Sequence, residues 1–325
     1  MKKLLSAVLI AIAFNAGAQN STSGITGCRA AMAKELIRVV DQNNVPIQGA
    51  RIWGGFQTGD GVDDYLPIEA SSGLNGICII NGMCSGRLTL CVDKEGYYPT
   101  RFSKLYDETP CVPPVMDGMW QPYGEELQIT LKEIIKPGCL SVFPSRLRRC
   151  RIPIYGQWLG FDFEKCDWVS PYGEGAFTDV CLRFSSSRKQ YNDFKYQMDV
   201  SFTNCPHAGA YRMRCDKSSA LVTVYDADTN AVFKQEFTYV SECVPGYPTR
   251  RDALDEDSYL VFRTRTKVDP EGRLTSAHYG KILGEWFSGN DYMFLSDGCF
   301  NMTENDTNLE DGTVLRDVIR NRNRR

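Results

Sequence analysis

The chain has 325 residues, of which 37 are Lys or Arg, 40 are Asp or Glu and two are His, giving a net charge of −3. This slightly acidic balance excludes a general affinity for nucleic acid, which requires a concentrated positive surface. The length allows two domains.

Residues 1–18, MKKLLSAVLIAIAFNAGA, read as a secretory signal peptide. Lys2 and Lys3 form a basic start, Leu4 to Phe14 an apolar run too short to span a bilayer, and Ala16-Gly17-Ala18 a small-residue cleavage site. A buried helix over residues 4–14 would leave the order of these three regions unexplained. Taking Lys2 and Lys3 from the 37 basic residues leaves 35 against 40 acidic ones, a net of −5. No later apolar stretch is long enough for a transmembrane helix, so the mature protein is expected to be periplasmic or secreted.

Beyond the cleavage site lie all thirteen cysteines: Cys28, Cys78, Cys84, Cys91, Cys111, Cys139, Cys150, Cys166, Cys181, Cys205, Cys215, Cys243 and Cys299. In an exported protein this density predicts disulfides, and the odd total leaves at least one thiol unpaired or bonded to another molecule. Spacing alone does not give the connectivity. The chain has no C-x-x-C pair, so structural zinc is not expected; Cys205, His207 and Cys215 would be the least unsuitable ligands. No metal or cofactor is assigned.

In chain order, LIRVV, PIQGARIWG, LTLCV, LQITL, TDVCLRF, YQMDVSF, ALVTVY, AVFKQEFTYV, YLVFRTRTKV and DYMFL are β-branched, aromatic and mostly alternating. Turn chemistry separates them, as in DQNN, DKEG, DADTN and DPEG. The fold class is therefore mainly β. In VVDQNNVPIQGARI the reading is a strand to Val40, a turn over Asp41 to Asn44, and a return on which Gly49 makes a β-bulge so that Ala50 and Ile52 point inward. In GICIINGMCSGRLTLCV it is a tight turn at Asn81-Gly82 followed by inward Leu88, Leu90 and Val92.

These stretches, with Lys94 to Tyr97 and the closing strand Leu127 to Leu131, carry a resemblance. The order V-x-D-x-x-x-x-P-I-x-G-A-x-I, then G-x-L-x-L-x-V, then K-x-G-Y resembles the carboxypeptidase regulatory-like domain of the transthyretin-like superfamily over residues 33–133. The resemblance implies a small Greek-key β-sandwich that acts as an accessory module without catalytic residues. GDGVDDYLPIEASSGLN and CVPPVMDGMWQPYGEE depart from the family's short connections, as binding insertions or elaborated loops. Residues 139–312 are expected to form a larger β-sandwich-like domain, similar to the C-terminal region of uncharacterised exported bacterial proteins that carry such modules. Residues 313–325, with five arginines against Asp317, read as a basic solvated tail.

The search for chemistry yields no catalytic set. Neither His207 nor His278 lies in an H-x-x-E pattern, G-x-S-x-G is absent, and the disulfide expectation takes precedence over Cys205 with His207 as a thiol nucleophile. Asp60, Asp63 and Asp64, and Asn305, Asp306, Asn308, Glu310 and Asp311, offer oxygens without the spacing of a calcium loop. The most distinctive group is Asp162, Glu164, Asp167, Trp168 and Tyr172, a candidate ligand surface. On an extended strand Asp162 and Glu164 share one side and Asp167 faces the other, so the acids need not converge. The reading is an exported binding or structural protein of the bacterial envelope or extracellular space, its ligand a protein, peptide or glycan. The alternative is a carboxylate-dependent hydrolase of extracellular polymers, favoured if Asp162 and Asp167 share a deep cleft with an aromatic floor.

Overall fold

The alternation in AMAKELIRVVD produces an eleven-residue strand, β1 (Ala31–Asp41), with Ala31, Ala33, Ile37 and Val39 buried on one face. The computed structural model describes residues 30–310 apart from 60, 62–63, 107, 109–113, 139–140, 143–147, 253–256, 285 and 296–297. The expected signal peptide and basic tail, with Cys28, Cys111, Cys139, Asp60, Asp63 and Asp311, lie outside the described residues. Those residues are all-β: they contain no helix, and hence none long and apolar enough to cross a membrane.

Nine more strands complete the first unit: β2 (Arg51–Gln57), β3 (Tyr65–Ser71), β4 (Ile77–Cys84), β5 (Arg87–Asp93), β6 (Tyr97–Tyr98), β7 (Thr100–Leu105), β8 (Val115–Met116), β9 (Met119–Trp120) and β10 (Glu125–Glu133). β1 pairs antiparallel with β4 and parallel with β10, the latter from Glu35↔Glu125 to Asp41↔Leu131. The second sheet runs β3-β2-β5-β7. Ile37, Val39, Ile129 and Leu131 from the first sheet meet Ile52, Phe56, Leu88, Leu90 and Val92 from the second in one core, which makes the unit a β-sandwich.

Two local readings change. Gly49 has φ +68°, but it serves a turn rather than a bulge, because β2 pairs with β3 and β5 and so belongs to the opposite sheet from β1. The turn before it is held by Asp41, whose Oδ1 accepts from the amides of Asn43 and Val45. Asn81-Gly82 is not a turn; it lies inside β4, and the chain reverses at Ser85-Gly86. Gly82 is there for packing: a Cβ would lie 2.4 Å from Leu66 Cδ2 and 2.9 Å from the Phe56 ring. Both expected insertions contribute strands to the first unit. The first contributes β3, an edge strand that tolerates Pro67, and the second a hairpin whose Trp120 donates Nε1–H to the Cys84 carbonyl at 2.8 Å.

The second unit comprises β11 (Ser141–Val142), β12 (Arg148–Arg151), β13 (Trp158–Asp162), β14 (Asp167–Trp168), β15 (Val180–Gln190), β16 (Asp193–Ser201), β17 (Gly209–Arg214), β18 (Glu236–Cys243), β19 (Arg250–Asp252), β20 (Ser258–Val268), β21 (Leu274–Leu283), β22 (Trp286–Gly289), β23 (Tyr292–Leu295) and β24 (Gly298–Phe300). A six-stranded sheet, β14-β13-β15-β16-β18-β19, faces a five-stranded one, β11-β24-β21-β20-β17, while β12-β23-β22 forms a third sheet beside them. Phe161, Leu182, Phe184, Met198 and Val200 pack against Leu260, Phe262, Ile282, Trp286 and Phe300. The opposite face of β20 and β21 is covered too, by a cluster around Tyr259, Val261, Tyr279 and Leu309, so β20 reads as a nearly continuous buried run.

ALVTVY, expected as a strand, is irregular apart from isolated contacts. Its polar groups are satisfied one by one: Lys132 Nζ donates to the carbonyls of Leu221 and Thr223, and the Val224 amide donates to the Tyr259 hydroxyl. Leu221 is spent on the seam between the two units, where it packs with Tyr98, Ile134 and Tyr225.

No disulfide joins two of the described cysteines, so the expected framework is not seen among them. Cys78, Cys84, Cys181, Cys205 and Cys243 are thiols in this structure. Burial pushes the thiols of Cys78, Cys84 and Cys181 up, and Cys205 lies close enough to Cys181 to add to its shift.

Candidate ligand groove

The five residues of the sequence-predicted surface divide between two neighbouring places. Asp162 ends β13 and is fully buried; its Oδ1 accepts from the amides of Glu164 and Lys165, and its Oδ2 from those of Ala176 and Phe177. Glu164 follows in the turn. Both acids reach one cation that the sequence did not single out, Arg265 of β20, at 3.2 Å from Asp162 and 2.8 Å from Glu164. Asp179, equally missed, binds Arg265 Nε at 2.9 Å and also accepts from the Phe163 amide. Burial pushes the Asp179 carboxyl up against the pull of Arg265, and Arg265 itself is held above its ordinary range because the hydrogen bonds and charges of its acids outweigh desolvation.

The guanidinium lies 4.3 Å from the Phe177 ring centroid and 4.5 Å from that of Phe300. Three carboxylates around one arginine, with Asp162 and Asp179 also holding backbone amides, form a structural hub. Asp162 and Asp179 have both oxygens taken by amides, Thr264 and Arg265, which does not suit them as an acid and base pair.

Asp167 sits opposite Asp162 in the β13–β14 register, yet its oxygens turn to the amides of Trp168 and Glu174. It lines a groove of about 480 Å³ with Arg149, Cys150, Arg151, Ile152, Trp168 and Tyr172. Trp168 is only 4% exposed and donates Nε1–H to the Arg151 carbonyl at 2.8 Å, so it forms the floor; Tyr172 is 45% exposed and forms a lip. Asp162 and Glu164 are not part of this groove. Arg149 and Arg151 alternate along β12, so they point to one face, and both are exposed. RLRRCR could have flagged a cationic edge, but nothing in it showed that it would meet Trp168.

The other candidate ligands do not assemble. His207 Nε2 pairs with the Gly272 carbonyl at 2.8 Å, while Cys205 packs against the main core of the second unit and Cys215 against the cluster behind β20. The oxygens of Asn305, Asp306, Asn308 and Glu310 are used by Ala277, Lys136, the Glu310 amide and the seam respectively. Asp64 Oδ2 caps the Gly61 amide.

No family model matches the chain, and no curated protein matches it. Among solved structures, 3-chlorocatechol 1,2-dioxygenase from Rhodococcus opacus aligns at 11% identity over 32% of this chain with a TM-score of 0.25; the chain spans 61% of that enzyme. The major pilin subunit BcpA of Bacillus cereus aligns at 10% identity over 83% of this chain and 96% of its own, with a TM-score of 0.23. A Bacteroides fragilis protein of unknown function aligns at 11% identity over the same shares, with a TM-score of 0.15. Likenesses this distant carry no argument about fold family, activity or partners.

Proposed function

We propose that the chain is an exported, non-catalytic binding protein of the bacterial envelope or extracellular space. Its first sandwich is read as an accessory module of the carboxypeptidase regulatory-like, transthyretin-like kind with Greek-key connections, and its second unit as the carrier of the ligand site. Export rests on the ordered basic, apolar and small-residue regions of residues 1–18. The module reading is supported by β1 pairing in parallel with β10 and in antiparallel with β4, opposite a sheet ordered β3-β2-β5-β7.

One observation carries the binding reading. The acids available to a hydrolase are engaged with Arg265 and backbone amides, while the adjoining open groove offers exposed side chains around an apolar floor. The test is a binding screen of the mature protein against immobilised glycans and peptides, with hydrolysis products followed in parallel. Saturable binding that falls at least tenfold in Tyr172→Ala, without turnover, is expected. Turnover abolished by Asp162→Asn would overturn the reading.

A further inference from the structure

We propose that the groove takes a carboxylated polysaccharide, with uronate groups held by Arg149 and Arg151 and a sugar face laid on Tyr172. This rests on the second unit being a binder, and it names the ligand class.

Charge is the first argument. Two positions apart on one strand, the arginines are about 7 Å apart along β12. Neither has a carboxylate partner among the described residues, whereas Arg38, Arg51 and Arg183 are each paired, with Glu126, Glu69 and Asp199. Arg149 lies 5.7 Å from the Phe294 ring centroid, a contact that orients it without neutralising it. The acid lining the groove, Asp167, already receives two backbone amides. The groove therefore sets two guanidinium groups without an ion-pair partner among the described residues against one carboxylate, a net positive lining, and their planar fork matches a carboxylate.

Aromatic placement is the second. Tyr172 stands exposed at the lip, and Tyr292, 38% exposed, is the cross-strand partner of Arg151. Rings beside a cation suit a pyranose, which offers an apolar face and charged equatorial groups to the same surface. The third argument concerns peptides. An extended peptide would add to the free edge of β12, but the Arg151 carbonyl is already taken by the Trp168 indole. Edge addition would have to displace a buried ring, so the observations favour the glycan.

The experiment is calorimetric titration of the mature chain with four probes: oligogalacturonate, oligomannuronate, neutral cellohexaose and hexa-aspartate. Expected is uronate binding that weakens with salt, falls at least tenfold in the Arg149→Gln, Arg151→Gln double variant, and is unchanged in Arg87→Gln, an exposed arginine of the first sandwich. Circular dichroism of the double variant should match the parent, since both side chains are exposed. Uronate binding that survives the double substitution, or hexa-aspartate binding of equal strength, would overturn the proposal. Cellohexaose binding lost in Tyr172→Ala, with no uronate binding, would overturn the ligand class and leave the binding reading standing. Silence of all four probes would count against both.

Discussion

Tyr98 donates its phenolic hydrogen to Glu310 at 2.9 Å across 212 positions of sequence, in the seam between the two sandwiches. Glu310 is 1% exposed and also accepts from the amides of Ile135 and Lys136, so one carboxylate ties the connecting segment to both units. Glu310→Ala should lower unfolding free energy by about 3 kcal/mol, because hydrogen bonds to charged groups are worth roughly 1.5–3 kcal/mol and their buried partners would be stranded. Urea titration of Glu310→Ala, Tyr98→Phe and the double variant should give a coupling energy above about 1 kcal/mol. Additive effects would show that the contact contributes nothing.

Arg265 should behave as a structural keystone. Arg265→Met leaves Asp162 and Asp179 buried without their cation, and removing one member of a buried ion pair costs about 3–5 kcal/mol. Chemical denaturation measures this directly. A loss below about 1 kcal/mol would mean that the acids are neutral or hydrated and the hub is wrongly drawn.

A pH dependence follows from Glu35, which occupies an inward position of β1 and meets Lys104 Nζ from the opposite sheet at 2.9 Å. Burial pushes the Glu35 carboxyl up, opposed by hydrogen bonds from Lys104 and Tyr106. A raised folded-state value means that the folded protein holds the proton more tightly than the unfolded chain. The resulting stabilisation is fully present below the ordinary carboxylate range and is lost as pH rises through the raised value. The stability of the parent relative to Glu35→Gln should therefore fall between acid and neutral pH. A flat difference between the two denaturation series would contradict it.

Gly82→Ala separates a turn glycine from a packing glycine. The new methyl would press on Leu66 and Phe56, and overpacking of this kind costs about 1–3 kcal/mol. Thermal melts of the variant and of Gly82→Ala with Leu66→Val should show partial rescue in the pair. Equal melting temperatures for parent and single variant would refute the close contact.

Thiol chemistry offers a further check on the core. Buried Cys84, and the partly buried Cys78 and Cys181 with their thiols pushed up, should alkylate far more slowly in the native protein than after unfolding. Mass spectrometry of pulse-labelled protein resolves each site. Complete protection of Cys181 and Cys205 that persists in denaturant and ends on reduction would instead reveal a bond between them.

Strand positions were legible wherever alternation met one sheet face, as in LIRVV, LTLCV and LQITL, because period-two patterning is a local property. Asn81-Gly82 misled because a glycine required by a neighbour's ring looks the same as one required by a turn. ALVTVY misled because its β-branched residues serve a seam between units, which no window of sequence contains. For the site, Asp162, Trp168 and Tyr172 stood out as a local cluster, yet Arg265 lies 103 positions from Asp162 in an unremarkable TRTK run. Long-range pairing decided which acids were neutralised and which arginines were left open.

The parallel register of β1 with β10 bears on how the first sandwich would respond to tension. The start of β1 and the end of β10 lie at opposite ends of this seven-pair ladder. Pulling on those two ends loads the rungs together in shear instead of opening them one after another. The first sandwich should then resist extension along its chain direction far better than a hairpin of equal length peeled from its open end.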